Sequence, residues 1–293
     1  MLSKFVSRDT LKGYLYLAPA LAVILFFFLG GFLIAFVQSL GYFPVIGMEE
    51  FTLKYYKEVF QNPEFLESLQ YTLHISFIST AIATVFGTAL AYFFLKTTPH
   101  NPLFHFIHKV PIAVPHLVAA LMIVFILSQG GIISRLFVKV GWITETADFP
   151  AIFYTQNAIG IILIYIWKEV PFVTLMVYTV MKNIHTKLGE AAATLKASQL
   201  QVFCHVILPL SMPSIVSASA IIFAFSFGAF EIPFLLGATY PKTLPVWAYL
   251  NFISVDLSAR PLAMVINMLV SLVCTVLIFI YYLSMRKYLR KWS

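Results

Sequence analysis

Residues 14–40 read "YLYLAPALAVILFFFLGGFLIAFVQSL" and contain no charged side chain. A helix of about 20 apolar residues is long enough to cross the hydrocarbon core of a bilayer. The apolar block of a secretory signal peptide is shorter, so this stretch predicts a transmembrane helix that is retained in the protein.

Five further uncharged runs follow along the chain, at 68–95, 110–134, 149–167, 197–230 and 261–285. Charged residues make up 11% of the chain, against roughly 25% in globular domains. The runs are continuous and do not alternate with polar residues, which argues against a transmembrane β-barrel. The sequence therefore predicts an all-α polytopic membrane protein with six transmembrane helices, at 14–40, 69–95, 110–129, 157–181, 211–237 and 262–285.

The basic residues are unevenly distributed among the segments that connect these spans. Twelve lysines and arginines lie in the two terminal segments and in the connections between spans two and three and between spans four and five, whereas six lie in the other connections. Because cytoplasmic loops carry the excess of basic residues, both termini are predicted to be cytoplasmic. The net charge of +7 is then a signature of topology rather than of nucleic-acid binding.

This topology predicts three parts of the chain. Residues 1–40 form an N-terminal cytoplasmic segment and the first transmembrane helix, and 41–68 form an extracytoplasmic segment with a short interfacial helix. Residues 69–293 form a core of five helices, with a cytoplasmic loop at 182–209. No HExxH or GxSxG motif points to a membrane-embedded enzyme, and His105 and His108 have no acid or cysteine nearby that would complete a metal site.

Two features predict local helix geometry. Gly87 and Ala91 are four residues apart, so they share one face of the second span and allow a close helix contact. Pro111 and Pro115 stand at the entrance of the third span, where each lacks the N–H of a helical hydrogen bond. The entrance is expected to be bent or loosened, and a plain helix start is the favoured interpretation over a hinge.

Three charged side chains interrupt the apolar spans: Lys168, Glu169 and Glu231. Such a charge at the centre of a span costs about 2.5–3.5 kcal/mol on insertion scales. These residues are expected either to tie neighbouring helices together, for example Glu231 to Lys168, or to line a path for a solute. Both interpretations stay open at this point.

Small residues precede Glu231 at helical spacing. Ser217, Ala220, Ala224, Gly228 and Glu231 are predicted to lie on one helical stripe, which would allow a close helix contact or leave room for a solute. The predicted translocation pathway accordingly consists of Lys168, Glu169, Ala224, Gly228 and Glu231.

The connection between spans four and five reads "GEAAATLKASQLQVFCHVILPLSMP" at 189–213. The absence of proline between Leu188 and Leu200 predicts a short helix there, with Glu190 near its start and Pro209 at the beginning of the next helix. Such a helix could fill a groove in a soluble partner, or it could lie against lipid alone.

The spacing of this segment resembles a motif of the membrane permeases of binding-protein-dependent ABC importers. That motif runs Glu-Ala-Ala, three residues, Gly, nine residues, Ile-x-Leu-Pro. Glu190, Ala191 and Ala192 keep its register with Leu208 and Pro209. Val206 replaces the isoleucine, and Lys196 replaces the glycine that in the family allows a turn between two short helices.

The resemblance extends over roughly 52–285 and, through "GAFEIPFLLG" and "LPVWAYLNFISVDLSARPLAM", looks most like the branch that imports polyamines, ferric ion and thiamine. It implies a permease subunit in a bacterial inner membrane, paired with a second and different permease chain. It also implies an external binding protein and a separate cytoplasmic ATPase that holds ATP and Mg²⁺, with no cofactor in this chain. The residues implied in ATPase coupling are Glu190, Ala191, Ala192, Lys196, Ala197, Leu208 and Pro209.

The alternative function is a secondary transporter or channel that works without an ATPase. It predicts ion-coupling carboxylates within the spans, for which Glu169 and Glu231 are the candidates, and an inverted repeat, which the sequence does not reveal. The chain has no GxxxxGK[ST] motif, so any ATPase must be a partner.

Overall fold

The computed structural model describes residues 8–97, 102–194 and 198–289. Within these ranges the chain is helical, and its extended backbone forms one isolated bridge, between Phe43 and Met48, and no strand. The helices are α1 (Arg8–Ser39), α2 (Lys54–Gln61), α3 (Pro63–Thr97), α4 (Pro102–Ala113), α5 (His116–Leu127), α6 (Ile132–Val140), α7 (Ile159–Thr194), α8 (Gln199–Val202), α9 (Leu208–Gly228), α10 (Glu231–Leu236), α11 (Leu244–Phe252) and α12 (Arg260–Leu289).

Six stretches of the described chain are long and apolar enough to cross a membrane, which confirms the predicted number of spans. They are Leu15–Ser39, Pro63–Lys96, His116–Val140, Ile159–His185, Gln199–Gly228 and Leu257–Ser284. Two predicted spans are displaced along the sequence. The third lies later than 110–129, and the fifth begins and ends before 211–237.

Helices α3, α7 and α9 form the centre of the bundle. Gly87 of α3 lies against Val173 of α7, and the Thr174 hydroxyl donates a hydrogen bond of 3.1 Å to the Gly87 carbonyl. Ala91, one turn along α3, is fully buried in the same contact region. The close helix contact predicted for the Gly87–Ala91 face is thus confirmed.

Helix α1 lies at the edge of the bundle, where it packs along α12. Most of its apolar side chains are exposed in the isolated chain, as expected for a span that faces lipid or another membrane protein. The short helix α2 lies within 41–68, where a short helix was predicted. An ion pair of 2.8 Å between Lys242 and Glu64 joins the start of α3 to the segment before α11.

Candidate functional site

The helix at the entrance of the third span is broken between α4 and α5. Helix α4 ends at Ala113, Val114 and Pro115 are not helical, and α5 begins at His116 with Pro115 as its N-cap. The loosened geometry expected from the prolines is present, but the favoured plain helix start was wrong, because α4 begins before both prolines and contains Pro111. Pro115 has no N–H to donate to the carbonyl of Pro111, four residues earlier.

The side chain of Lys168 satisfies the carbonyl groups at this break. Its Nζ donates a hydrogen bond of 3.1 Å to the Pro111 carbonyl and a second hydrogen bond to the Val114 carbonyl. Only 8% of Lys168 is exposed, so these bonds compensate for the burial of an ammonium group. The suggested pairing of Lys168 with Glu231 is therefore wrong: Lys168 holds the broken helix to α7.

Glu169, the next residue of α7, points to the opposite neighbour. Its Oε1 accepts a hydrogen bond of 2.7 Å from the Ser226 hydroxyl on α9. Glu169 is 5% exposed, and its Oε2 has no hydrogen-bond partner among the described residues. The adjacent charges thus link α7 to α4 on one side and to α9 on the other, and one carboxylate oxygen is left unsatisfied.

Glu231 does not continue the stripe of small residues predicted for the fifth span. Helix α9 ends at Gly228, Ala229 is extended with ψ 136°, and Glu231 is the first residue of the short helix α10. The helical spacing through Glu231 was therefore wrong, because the register is lost at the break. The Glu231 side chain is exposed and makes no hydrogen bond within the described chain.

Two cavities of 210 Å³ each lie next to one another among α5, α7 and α9. One is lined by Glu231 and Gly228 and the other by Lys168 and Glu169. Both cavities are also lined by the same three side chains, those of His116, Tyr165 and Phe225. The structure therefore brings four of the five predicted pathway residues to two cavities with a shared wall, which are together called the passage below.

Ala224, the fifth predicted pathway residue, lies elsewhere. It lines an apolar groove of 660 Å³ among α3, α9 and α12, together with Ala220. The structure thus places Ala224 and Gly228, which are four residues apart, at different cavities.

The sequence analysis missed the three residues shared by the cavities. His116 follows Pro115 directly, and its ring lies against that of Phe225 at a tilt of 35°, with the ring centroids 4.9 Å apart. Tyr165 is almost fully buried, and its hydroxyl has no hydrogen-bond partner among the described residues. A search for formal charges overlooks these residues, although a histidine beside a proline in an apolar run is a usable signal.

The predicted coupling segment departs from the expected helix. Helix α7 continues without interruption to Thr194, and α8 begins at Gln199. The separate helix from Leu188 to Leu200 was therefore wrong, and Glu190 lies near the end of a 36-residue helix, not near the start of a short one. The backbone of Glu190, Ala191 and Ala192 is helical; Lys196 and Ala197 lie outside the described residues.

The far side of this connection begins with a well-capped turn. The Ser198 backbone N–H donates to Gln201 Oε1 at 2.8 Å, and the Ser198 hydroxyl accepts from the Gln201 N–H at 3.3 Å. This reciprocal capping box fixes where α8 begins. Leu200 in the same turn is 68% exposed, an apolar side chain directed away from the bundle.

A π-helical segment, Phe203–Ile207, joins α8 to α9 directly before Pro209. Pro209 is the second residue of α9 and so stands at the beginning of that helix, as predicted, although the helical backbone continues from α8 through the π-helical segment into α9. Ile207 is buried and Leu208 packs against the same apolar cluster of α3, α7 and α9. The Phe203 ring lies 4.0 Å from the Tyr92 ring of α3, so this connection is anchored to three central helices.

Comparison with known proteins places this arrangement in a family. Residues 83–290 match the family described as "Binding-protein-dependent transport system inner membrane component". The spermidine/putrescine transport system permease protein PotB of Escherichia coli (strain K12) is 28% identical over 239 residues, 80% of this chain and 83% of that protein. The sulfate transport system permease protein CysT of the same strain is 29% identical over 201 residues, 68% of this chain and 69% of that protein.

Solved structures share the fold. A bacterial ABC transporter involved in import of the acidic polysaccharide alginate superposes with a TM-score of 0.78 at 18% identity, covering 96% of each chain. The MetNI methionine ABC transporter in an inward-facing conformation superposes with a TM-score of 0.57 at 19% identity, covering 76% of this chain and 95% of the other.

Proposed function

The chain belongs to the family of binding-protein-dependent transport system inner membrane components, and it is a permease subunit of an ABC importer; on that premise we propose that it imports a polyamine-like solute. It is a multi-pass protein of the bacterial inner membrane and not an enzyme. The observation that carries the family is the match over 83–290, and the choice of solute is supported by the PotB relatives.

The connection between α7 and α9 is proposed as the docking site of a cytoplasmic ATPase. Its register resembles the Glu-Ala-Ala motif, and Leu200 offers an exposed apolar contact on the turn that follows. ATP and Mg²⁺ bind the ATPase and not this chain. We assign Glu190, Ala191, Ala192, Lys196 and Ala197 to the proposed docking site by their register in the sequence, together with Leu208 and Pro209 at the start of α9.

Anchoring of the connection supports a coupling role. A force applied at α8 passes into α9 through a continuous helical backbone and into α3 through the contact of Phe203 with Tyr92. Packed helices transmit such a displacement because the apolar cluster around Ile207 is dense and deforms little. Rigid-body movement of α7 and α9 would then change access to the passage that they line.

The exposed residues beside the passage favour the presence of a second membrane subunit. Glu231 and Gly228 are exposed in the isolated chain, and exposure of a carboxylate to lipid within a span is costly. A second permease, expected to be a different chain, covers this side and completes the pathway lined by Lys168, Glu169, Gly228 and Glu231. An external binding protein delivers the solute to the opposite end.

Reconstitution tests this function. The chain is purified with the products of its neighbouring genes and placed in proteoliposomes that enclose ATP. We expect an ATPase to copurify and radiolabelled putrescine to accumulate only when ATP, Mg²⁺ and the binding protein are all present. Uptake driven by an ion gradient without ATP would contradict the proposal.

A further inference from the structure

The passage through the two adjoining cavities contains a specific set of unsatisfied polar atoms. The Tyr165 hydroxyl and Glu169 Oε2 are buried without hydrogen-bond partners among the described residues. Both side chains are more than nine-tenths buried and line the cavity that also contains Lys168. Buried polar groups in native proteins are normally paired, so these atoms point to a missing partner.

The chemistry of these atoms favours one kind of partner. A carboxylate accepts hydrogen bonds and cannot donate, and Glu231 adds a second carboxylate in the neighbouring cavity. The one lysine of the passage, Lys168, is already bonded to the Pro111 and Val114 carbonyls. The oxygens of Glu169 and Glu231 can only accept hydrogen bonds, and the unpaired Tyr165 hydroxyl can accept as well as donate, so a ligand rich in N–H donors would satisfy all three groups.

Charge and aromatic surface favour the same partner. The passage holds two acidic side chains, Glu169 and Glu231, against one ammonium group, that of Lys168, so a ligand cation would balance the second acid. The Phe225 and Tyr165 rings line both cavities, and Phe230 lies beside Glu231 with its ring 4.8 Å from that of Tyr249. Aromatic faces attract ammonium groups, and most strongly where water is excluded.

We infer that these cavities form a binding passage for an organic ammonium ion, which donates hydrogen bonds to Glu231, Tyr165 and Glu169. This inference rests on the proposed import function and deepens it, since it places cation selection within the membrane subunit. The inference also distinguishes a polyamine solute from a sulfate solute, the two kinds named for the relatives of this chain. A sulfate ion has only acceptor oxygens and a double negative charge, so the two carboxylates, Glu169 and Glu231, would repel it.

Ligand-dependent stability of the purified permease–ATPase complex, without binding protein, tests the inference. A ligand that binds the native state raises the midpoint of thermal unfolding. The probes are putrescine dihydrochloride, the uncharged analogue 1,4-butanediol and sodium sulfate, compared with sodium chloride at equal ionic strength. We expect putrescine alone to raise the midpoint, a result that needs no variant.

Matched variants locate the binding. Glu231→Gln and Glu169→Gln remove one charge each from the passage, and Glu67→Gln makes the same change at an exposed acid at the start of α3. We expect the putrescine shift to persist in Glu67→Gln, to be lost in Glu231→Gln and to be reduced in Glu169→Gln. A shift in Glu231→Gln equal to that of the wild type, or a shift with sulfate and none with putrescine, overturns the inference.

The two proposals fail separately. A complex that accumulates a solute with ATP but shows no putrescine shift refutes the cation passage and leaves the importer intact. A putrescine shift in a chain that neither holds an ATPase nor supports ATP-driven uptake supports the passage and refutes the importer.

Discussion

Replacing Gly87 by alanine tests the closest contact between α3 and α7. An added Cβ would lie 2.7 Å from both Cβ and Cγ1 of Val173 and 3.1 Å from the Val170 carbonyl oxygen. The contacts with Val173 are about 0.7 Å shorter than ordinary contact, and two atoms are involved. Val173 is fully buried and branched at Cβ, so it cannot rotate away without a new clash.

Two terms of opposite sign set the expected change in the free energy of unfolding. Alanine stabilises a helix interior by roughly 0.5–1 kcal/mol relative to glycine. Overpacking of a dense core costs about 1–3 kcal/mol. Gly31→Ala in α1 isolates the first term, because a Cβ there meets nothing within 4 Å.

The free energy of unfolding is measured for both variants by titrating SDS into protein held in a mild detergent. We expect Gly87→Ala to be about 1–3 kcal/mol less stable than Gly31→Ala. Equal stability of the two variants would mean that α3 and α7 can separate freely, and would refute the close packing described for this face.

Three further predictions concern the coupling segment and the passage. Glu190→Arg reverses a charge in the proposed docking site. A charged contact is worth about 1.5–3 kcal/mol, so ATP-driven uptake should fall about tenfold or more while membrane insertion is unchanged. Normal uptake would count against docking. Gly228→Leu should block uptake without lowering the free energy of unfolding, because a Cβ there meets nothing within 4 Å; unchanged uptake would show that this cavity is not on the path. Lys168→Met leaves the Pro111 and Val114 carbonyls without their donor, so SDS titration should report a loss of about 1–3 kcal/mol, and no loss would mean that the ammonium does not hold the broken helix.

The number of spans could be predicted from the sequence because lipid imposes a simple rule. Each crossing needs a continuous apolar helix, and six such runs are visible in 293 residues. Span limits are less visible, since a helix can extend beyond the bilayer. Helix α7 continues to Thr194 and the next helical stretch begins at Gln199, both in polar sequence where hydropathy carries no information.

Breaks within spans required tertiary contacts to interpret. Pro111 and Pro115 are visible in the sequence, but a break with helix on both sides is stable only because Lys168 arrives from another helix to bond the freed carbonyls. The end of α9 at Gly228 is a second break that the sequence pattern did not predict. Helical spacing assumes an unbroken helix, and the extended backbone at Ala229 moves Glu231 to a new helix and a different cavity from Ala224.

The sequence predicted the charged residues of the passage but not its aromatic ones. Charged residues in a span are conspicuous, and Lys168, Glu169 and Glu231 were identified on that ground. Tyr165 and Phe225 look like ordinary core residues in the sequence, because an aromatic side chain in an apolar run is usually packing. Only the cavities reveal that they line the same space as the carboxylates.

Site-specific photocrosslinking at Leu200 tests most directly the claim that an ATPase drives this chain through the connection between α7 and α9. A benzophenone amino acid is introduced at Leu200, and at Val255, which is fully exposed on the connection before α12, as the control. The account predicts that illumination of the active assembly links Leu200, but not Val255, to a subunit that carries a GxxxxGK[ST] motif. An active assembly in which Leu200 is linked to lipid alone would contradict it.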